Sequence, residues 1–121
     1  MEAHTKPKII VEPPGPKARD IIRRDEKITS PSLTRTAPLV GVRAEGVWIE
    51  DIDGNVYLDF GSGIAVVNIG HSNKKVVEAI KKQVETCDHI NSCDYFTVPQ
   101  VEYAEKLLAT LPANCAKRVF F

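Results

Sequence analysis

Three short runs rich in β-forming residues, 39–44, 47–52 and 56–60, are separated by two dipeptides, Glu45-Gly46 and Asp53-Gly54. Valine, isoleucine, tyrosine and tryptophan suit a pleated, half-buried surface. Asp-Gly supplies the positive φ angles of a tight hairpin turn. The spacing predicts a three-stranded antiparallel meander. Alternation places Val47 and Ile49 on one face, with Val56, Leu58 and Phe60 sharing a face on the next strand.

The flanks read as helix and link. Residues 1–14 are polar and contain prolines, which predicts an extended or mobile N-terminus. Pro16 suits a first helical turn. Ile21 and Ile22 share one side among Lys17, Arg19, Arg23 and Arg24, so an amphipathic helix is expected from residue 16 to about 27. Pro31 and Pro38 then fix an extended path. Downstream, Val76, Val77, Ile80, Val84 and Cys87 recur at steps of three or four. They predict a helix over 73–86, capped by Ser72 or Asn73. A second stripe of Val101, Ala104, Leu107, Leu108 and Leu111 predicts a helix from about 99 to 111. Thr97 and Gln100 have capping-box spacing, and Pro112 ends it. The final apolar run, Val119, Phe120 and Phe121, reads as the opening of a buried strand, which needs neighbours. It points to the front part of a larger design, with local pairing as the other reading. The organisation expected is an N-terminus (1–14), a helix and meander (15–60) and a following segment (61–121).

Composition narrows the class. Lys plus Arg and Asp plus Glu number 16 each among 121 residues, so no basic footprint argues for nucleic acid. No apolar run approaches the ~20 residues that span a bilayer, and no h-region with a cleavage site opens the chain. Cys87, Cys93 and Cys115 are an odd number without a Cys-x-x-Cys pair, which suits reduced thiols in the cytoplasm.

The stretch "GSGIAVVNIGH", residues 61–71, is the main candidate for chemistry. A dinucleotide loop would need a glycine where Val66 stands, and a Walker loop would need Gly-Lys-Ser/Thr; neither pattern is met. The glycines instead allow backbone to pass close to another segment or a ligand. Ile64, Val66 and Val67 are core or pocket wall, and core is the reading that sequence alone favours. Taking Gly54 as the sixth position of a calcium loop puts Ile49 first and Phe60 twelfth, where neither can ligate. Cys87, His89 and Cys93 lack a nearby fourth zinc ligand, and Cys87 continues a helical stripe. No metal-binding, cofactor-binding or catalytic residue is assigned within the chain.

The string "GVWIEDIDGNVYLDFGSGIAVVNIGH", residues 46–71, resembles the opening of class III (omega-amino-acid) pyridoxal-phosphate aminotransferases. It carries that family's "DxDGxxYLDF" and "GIAVxNxGH" segments. Residues 98–108 and the closing "VFF" continue the register. "PGPKARDII" and "SPSLTR" are similar to the 4-aminobutyrate branch, so the resemblance runs from about residue 12 to 121. One departure is Asn73-Lys74, where the family often has His-Pro.

The resemblance implies an α/β fold, the N-terminal part of fold type I of the pyridoxal-phosphate-dependent transferases. In such enzymes the meander joins the small domain, and the next segment crosses toward the large cofactor domain and the dimer interface. It implies that Ile64 touches substrate and that Tyr95 and Phe96 border the same entrance. It also implies that the phosphate-binding turn, the aspartate on the pyridine nitrogen and the Schiff-base lysine lie beyond these residues. Lys74, Lys75, Lys81 and Lys82, on an exposed helix face, are poor substitutes for that lysine. The chain alone is therefore expected not to transaminate. Three functions remain open. One is the N-terminal segment of a homodimeric, cytoplasmic enzyme passing the amino group of 4-aminobutyrate, or a related amino acid, to 2-oxoglutarate. Another is a racemase segment using the same cofactor. The last is a non-catalytic truncated product acting through self-association.

Overall fold

The structure, a computed structural model, describes residues 5–113 and 117–121. Its elements are α1 (Pro16–Ile28), β1 (Gly41–Glu45), β2 (Trp48–Asp51), β3 (Val56–Leu58), a single turn α2 (Ser62–Ala65), α3 (Lys74–Thr86) and α4 (Val98–Ala109). Two compact units result, with the boundary after Ala79, inside α3.

In the first unit the strands pair antiparallel in the order β1-β2-β3. Glu45 opposes Trp48, and Trp48 in turn opposes Leu58, with an irregularity between Gly41 and Arg43. The meander expected from the sequence is present, with shorter strands. Phe60 does not share the sheet face: it lies beyond β3 and is 91% exposed. The reason is Asp59, whose carboxylate accepts the Gly61 and Ser62 N–H groups and turns the chain away. Val47 sits in the β1–β2 turn and is exposed.

The β2–β3 connection is wider than an Asp-Gly pair alone suggests, because Asp51 builds it. Its Oδ1 accepts from the Asp53 and Asn55 backbones. Its Oδ2 accepts from Asn55 Nδ2 at 2.9 Å and from the Tyr57 hydroxyl at 2.8 Å. Asp51 is 2% exposed and Asn55 fully buried. A buried polar cluster is tolerable only when its groups are paired, and no buried side-chain N or O among the described residues lacks a partner. Burial alone would raise the Asp51 carboxyl; the hydrogen bonds from Tyr57 and Asn55 outweigh it and hold the group below its ordinary value. The same burial, with the Asp51 carboxylate beside it, raises the Tyr57 phenol.

This knot also recruits the N-terminal residues. Asn55 Oδ1 accepts from Ile10 N at 2.8 Å and Val11 N at 2.9 Å, and Lys8 exchanges two backbone hydrogen bonds with Val56. The chain from Lys8 to Val11 is thus tied to the hairpin. Helix α1 begins at Gly15, which has no side chain to cap it. Asp53 supplies the cap from the hairpin, accepting from Lys17 N at 3.0 Å and Ala18 N at 2.9 Å. Ala18 and Val56 are the buried apolar residues around this junction.

The second unit holds the C-terminal part of α3 and all of α4. Asn73, at the start of α3, takes the cap role, accepting from Lys75 N at 3.1 Å and Val76 N at 3.4 Å. Thr97 stands at the cap of α4, but its side chain makes no capping bond, so the capping box read from Thr97 and Gln100 does not form. Neither helix contains a buried residue. Val119 to Phe121 carry no strand. A strand exists through its neighbours' hydrogen bonds, and none is paired with this run among the described residues. Phe121 instead meets Tyr103 of α4, ring centroids 5.8 Å apart.

Candidate functional site

The loop after β3 answers what the glycines of residues 61–71 do. Four consecutive residues are left-handed: Ser62 (φ 47°), Gly63 (φ 59°), Ile64 (φ 66°) and Ala65 (φ 59°). Left-handed backbone costs an L-residue about 1–2 kcal/mol, and it is a genuine outlier for β-branched Ile64. Local hydrogen bonds offset part of this: Ile64 N and Ala65 N donate to Gly61 O, and Val66 N and Val67 N to Ser62 O. The turn throws its side chains outward. Ile64 is 94% exposed and Val66 is exposed, while Val67 is half-buried. Ile64 and Val66 therefore lie outside the core of this unit.

Both ends of the loop are fastened. His71 Nε2 lies 2.6 Å from Asp59 Oδ2, donating to it as an N–H. The His71 backbone exchanges two hydrogen bonds with Gly46, at 2.8 and 3.0 Å, and Ser72 Oγ donates to Ala44 O at 2.7 Å. Gly70 (φ 86°) makes this approach possible: a Cβ there would lie 3.1 Å from Gly46 Cα. The close neighbour that the glycines admit is thus another backbone segment. The hydrogen bond from His71, then that from Ser62 N–H, hold the Asp59 carboxyl below its ordinary value against the opposing effect of burial.

This geometry also disposes of a phosphate site in the loop. The Gly61 and Ser62 N–H groups that could form an anion nest are occupied by Asp59. Lys74, Lys75, Lys81 and Lys82 are exposed along α3.

Tyr95 and Phe96 lie in the second unit, on the link before α4. Tyr95 N donates to Asn91 O at 3.1 Å. Both side chains are exposed, Phe96 completely, and Phe96 borders a shallow groove of about 230 Å³ with Thr97, Val98, Val101 and Glu102. Cys87 is half-buried and Cys93 exposed, both as free thiols; Cys115 lies outside the described residues. Among the described residues no group of three or more His, Cys, Asp or Glu side chains is placed to hold a metal.

Two features escaped the sequence reading. The Asp59–His71 pair is separated by twelve positions, and nothing in that spacing signals contact. A groove of about 480 Å³ lies between α1 and the following link, lined by Ile21, Ile22, Leu39 and Val40, with the Asp25–Arg35 ion pair on its wall. Its one sequence signal was the apolar side of α1.

Residues 29–121 match the family model described as aminotransferase class-III. The chain belongs to this family. Its members use pyridoxal 5′-phosphate. The chain is similar to an alanine/serine racemase of Pyrococcus horikoshii, 39% identical over 94% of this chain and 24% of that protein. It is 36% identical to a 4-aminobutyrate aminotransferase of Mycobacterium tuberculosis, over 92% of this chain and 25% of the relative. Among solved structures, the acetylornithine aminotransferase of Elizabethkingia anophelis superposes with a TM-score of 0.71 at 31% identity, covering 78% of this chain and 24% of that one. The fold is thus the N-terminal part of such an aminotransferase, and the chain spans about a quarter of the length of the relatives it matches. No helix among the described residues is long and apolar enough to cross a membrane.

Proposed function

We propose that this chain supplies the N-terminal, substrate-facing segment of a pyridoxal-phosphate-dependent aminotransferase. The enzyme moves the amino group of 4-aminobutyrate, or a related omega-amino acid, to 2-oxoglutarate. Ile64 carries the reading. A β-branched residue held left-handed and exposed is unfavourable twice over, and strain of this kind persists where it serves a contact. The apolar side chain suits the methylene chain of an omega-amino acid, and Tyr95 and Phe96, both exposed, are proposed as further substrate-facing residues. Residues 15–60 belong to the small domain, and residues 61–121 lead toward the cofactor domain of a cytoplasmic homodimer. The chain contributes wall and entrance; the lysine and phosphate turn come from the remainder of the fold.

A racemase segment is the second reading, favoured by the 39% identity to the alanine/serine racemase over nearly the whole chain. A chimera separates the two. This chain replaces the matching quarter of the mycobacterial 4-aminobutyrate aminotransferase, and the product is assayed for 4-aminobutyrate transamination and for alanine racemisation. Transamination above the level of the truncated relative is the expected result. Racemisation without transamination transfers the assignment to the second reading. A chimera that folds and binds cofactor but turns over neither substrate leaves the chain a non-catalytic, self-associating product.

A further inference from the structure

The loop that carries Ile64 is held by two side chains to which the proposed chemistry gives no part. Asp59 stands where β3 ends, and His71 stands where the chain returns to the β1–β2 turn. The two carboxylate oxygens of Asp59 divide the work. Oδ1 accepts from Gly61 N at 2.8 Å and Ser62 N at 3.0 Å, the residues that lead into the left-handed turn. Oδ2 accepts from His71 Nε2 at 2.6 Å. One carboxylate therefore fixes the first residues of the loop and reaches across to its last.

His71 cannot follow the loop if the loop moves. Its N–H and C=O are both bonded to Gly46, and Ser72 anchors to Ala44. Asp59 N is likewise fixed, donating to Val47 O at 2.8 Å. Both ends of the loop are thus fastened to one element, the β1–β2 turn. The span between them includes the strained residues, whose outward side chains receive no stabilising burial from this unit.

We propose that Asp59 and His71 are positioning residues: their clasp closes residues 59–71 on the β1–β2 turn and holds Ile64 in its left-handed conformation. This deepens the proposed function and rests on it, because the clasp would set how far the apolar wall projects toward substrate. A charge-assisted hydrogen bond with one half-buried and one nearly buried partner is stronger than a neutral one. The competing account is that the turn holds itself through its bonds to Gly61 O and Ser62 O.

Amide hydrogen exchange of the full chain decides between them without substrate or cofactor. Wild type is compared with Asp59→Asn, His71→Ala and His71→Gln. Asp59→Asn keeps an acceptor for Gly61 and Ser62 but weakens the clasp, and the glutamine amide can donate in place of the imidazole Nε2. The amides of Ile64, Ala65, Val66 and Val67 are expected to exchange roughly tenfold faster or more in Asp59→Asn and His71→Ala. They return toward wild-type rates in His71→Gln, while the hairpin amides of Asp51 and Val56 stay unchanged. Loop amides unprotected in wild type, or unaltered by both disruptive variants, would overturn the proposal. So would equal acceleration of loop and hairpin amides, since the pair would then hold the whole unit together. Because exchange involves no substrate, a released loop combined with unaltered kinetics on truncating Ile64 would sink the wall and leave the clasp standing.

Discussion

Gly15→Ala tests the junction between α1 and the hairpin, and its effect should change sign with the residue at position 53. Gly15 has φ −70° and ψ 175°, a conformation open to any residue, so alanine brings no backbone strain. What it brings is a Cβ that overlaps Asp53 Cγ and lies 2.5 and 2.7 Å from the carboxylate oxygens. Asp53 cannot retreat and still accept from Lys17 N and Ala18 N. Losing a helix cap costs about 0.5–2 kcal/mol. The displaced charge at the helix N-terminus adds about 0.3–1 kcal/mol. Gly15→Ala should therefore cost about 1–3 kcal/mol, seen as a lower urea midpoint at unchanged slope. In an Asp53→Ala background the clash and the cap are both gone. There the same substitution should be neutral or stabilise by about 0.4–1 kcal/mol, because alanine restricts the unfolded chain more than glycine. Equal costs in the two backgrounds, within about 0.5 kcal/mol, would refute the coupling and with it the assignment of Asp53 as the cap of α1.

Two further outcomes are expected. Asp51 has a folded pKa below its unfolded value of about 3.9. Its contribution is therefore complete above that value and is lost as pH falls through the lowered one; urea midpoints between pH 5 and 2 should drop, and Asp51→Asn should flatten that dependence while costing about 1–3 kcal/mol at neutral pH. A midpoint that is flat with pH in the wild type would contradict this. Pyridoxal phosphate added to the 121-residue chain and reduced with borohydride should leave sparse adducts spread over surface lysines, read by intact mass and peptide mapping. A stable aldimine band with one adduct on a single lysine would overturn the assignment of cofactor chemistry to other parts of the fold.

The sequence revealed those parts of the structure that local chemistry determines. The β runs and their Gly-bearing turns marked the meander, and the stripes of Val76 to Cys87 and Val101 to Leu111 marked α3 and α4. What stayed hidden depends on distant partners. Asp53 capping a helix 35 positions earlier, and Asn55 binding the Ile10 and Val11 amides, leave no periodic trace. The left-handed turn runs against the preference of isoleucine, so propensity argues for the wrong conformation, and the apolar side chains of Ile64, Val66 and Val67 fit a core as well as a pocket wall. Val119 to Phe121 has the composition of a strand, but pairing requires another strand. The family was legible because its motifs form a long ordered string across residues 46–71; the proposed role of Ile64 rests on that resemblance, and its left-handed, exposed conformation was not legible in the sequence.

The most direct test of the account truncates the wall. In the chimera with the mycobacterial aminotransferase, Ile64→Ala should raise KM for 4-aminobutyrate and lower kcat/KM by roughly tenfold, the scale of removing apolar contact with a methylene chain. KM for 2-oxoglutarate and the cofactor spectrum should change little. Unchanged kcat/KM for 4-aminobutyrate, in a chimera that retains cofactor and fold, would contradict the claim that this strained turn presents Ile64 to substrate.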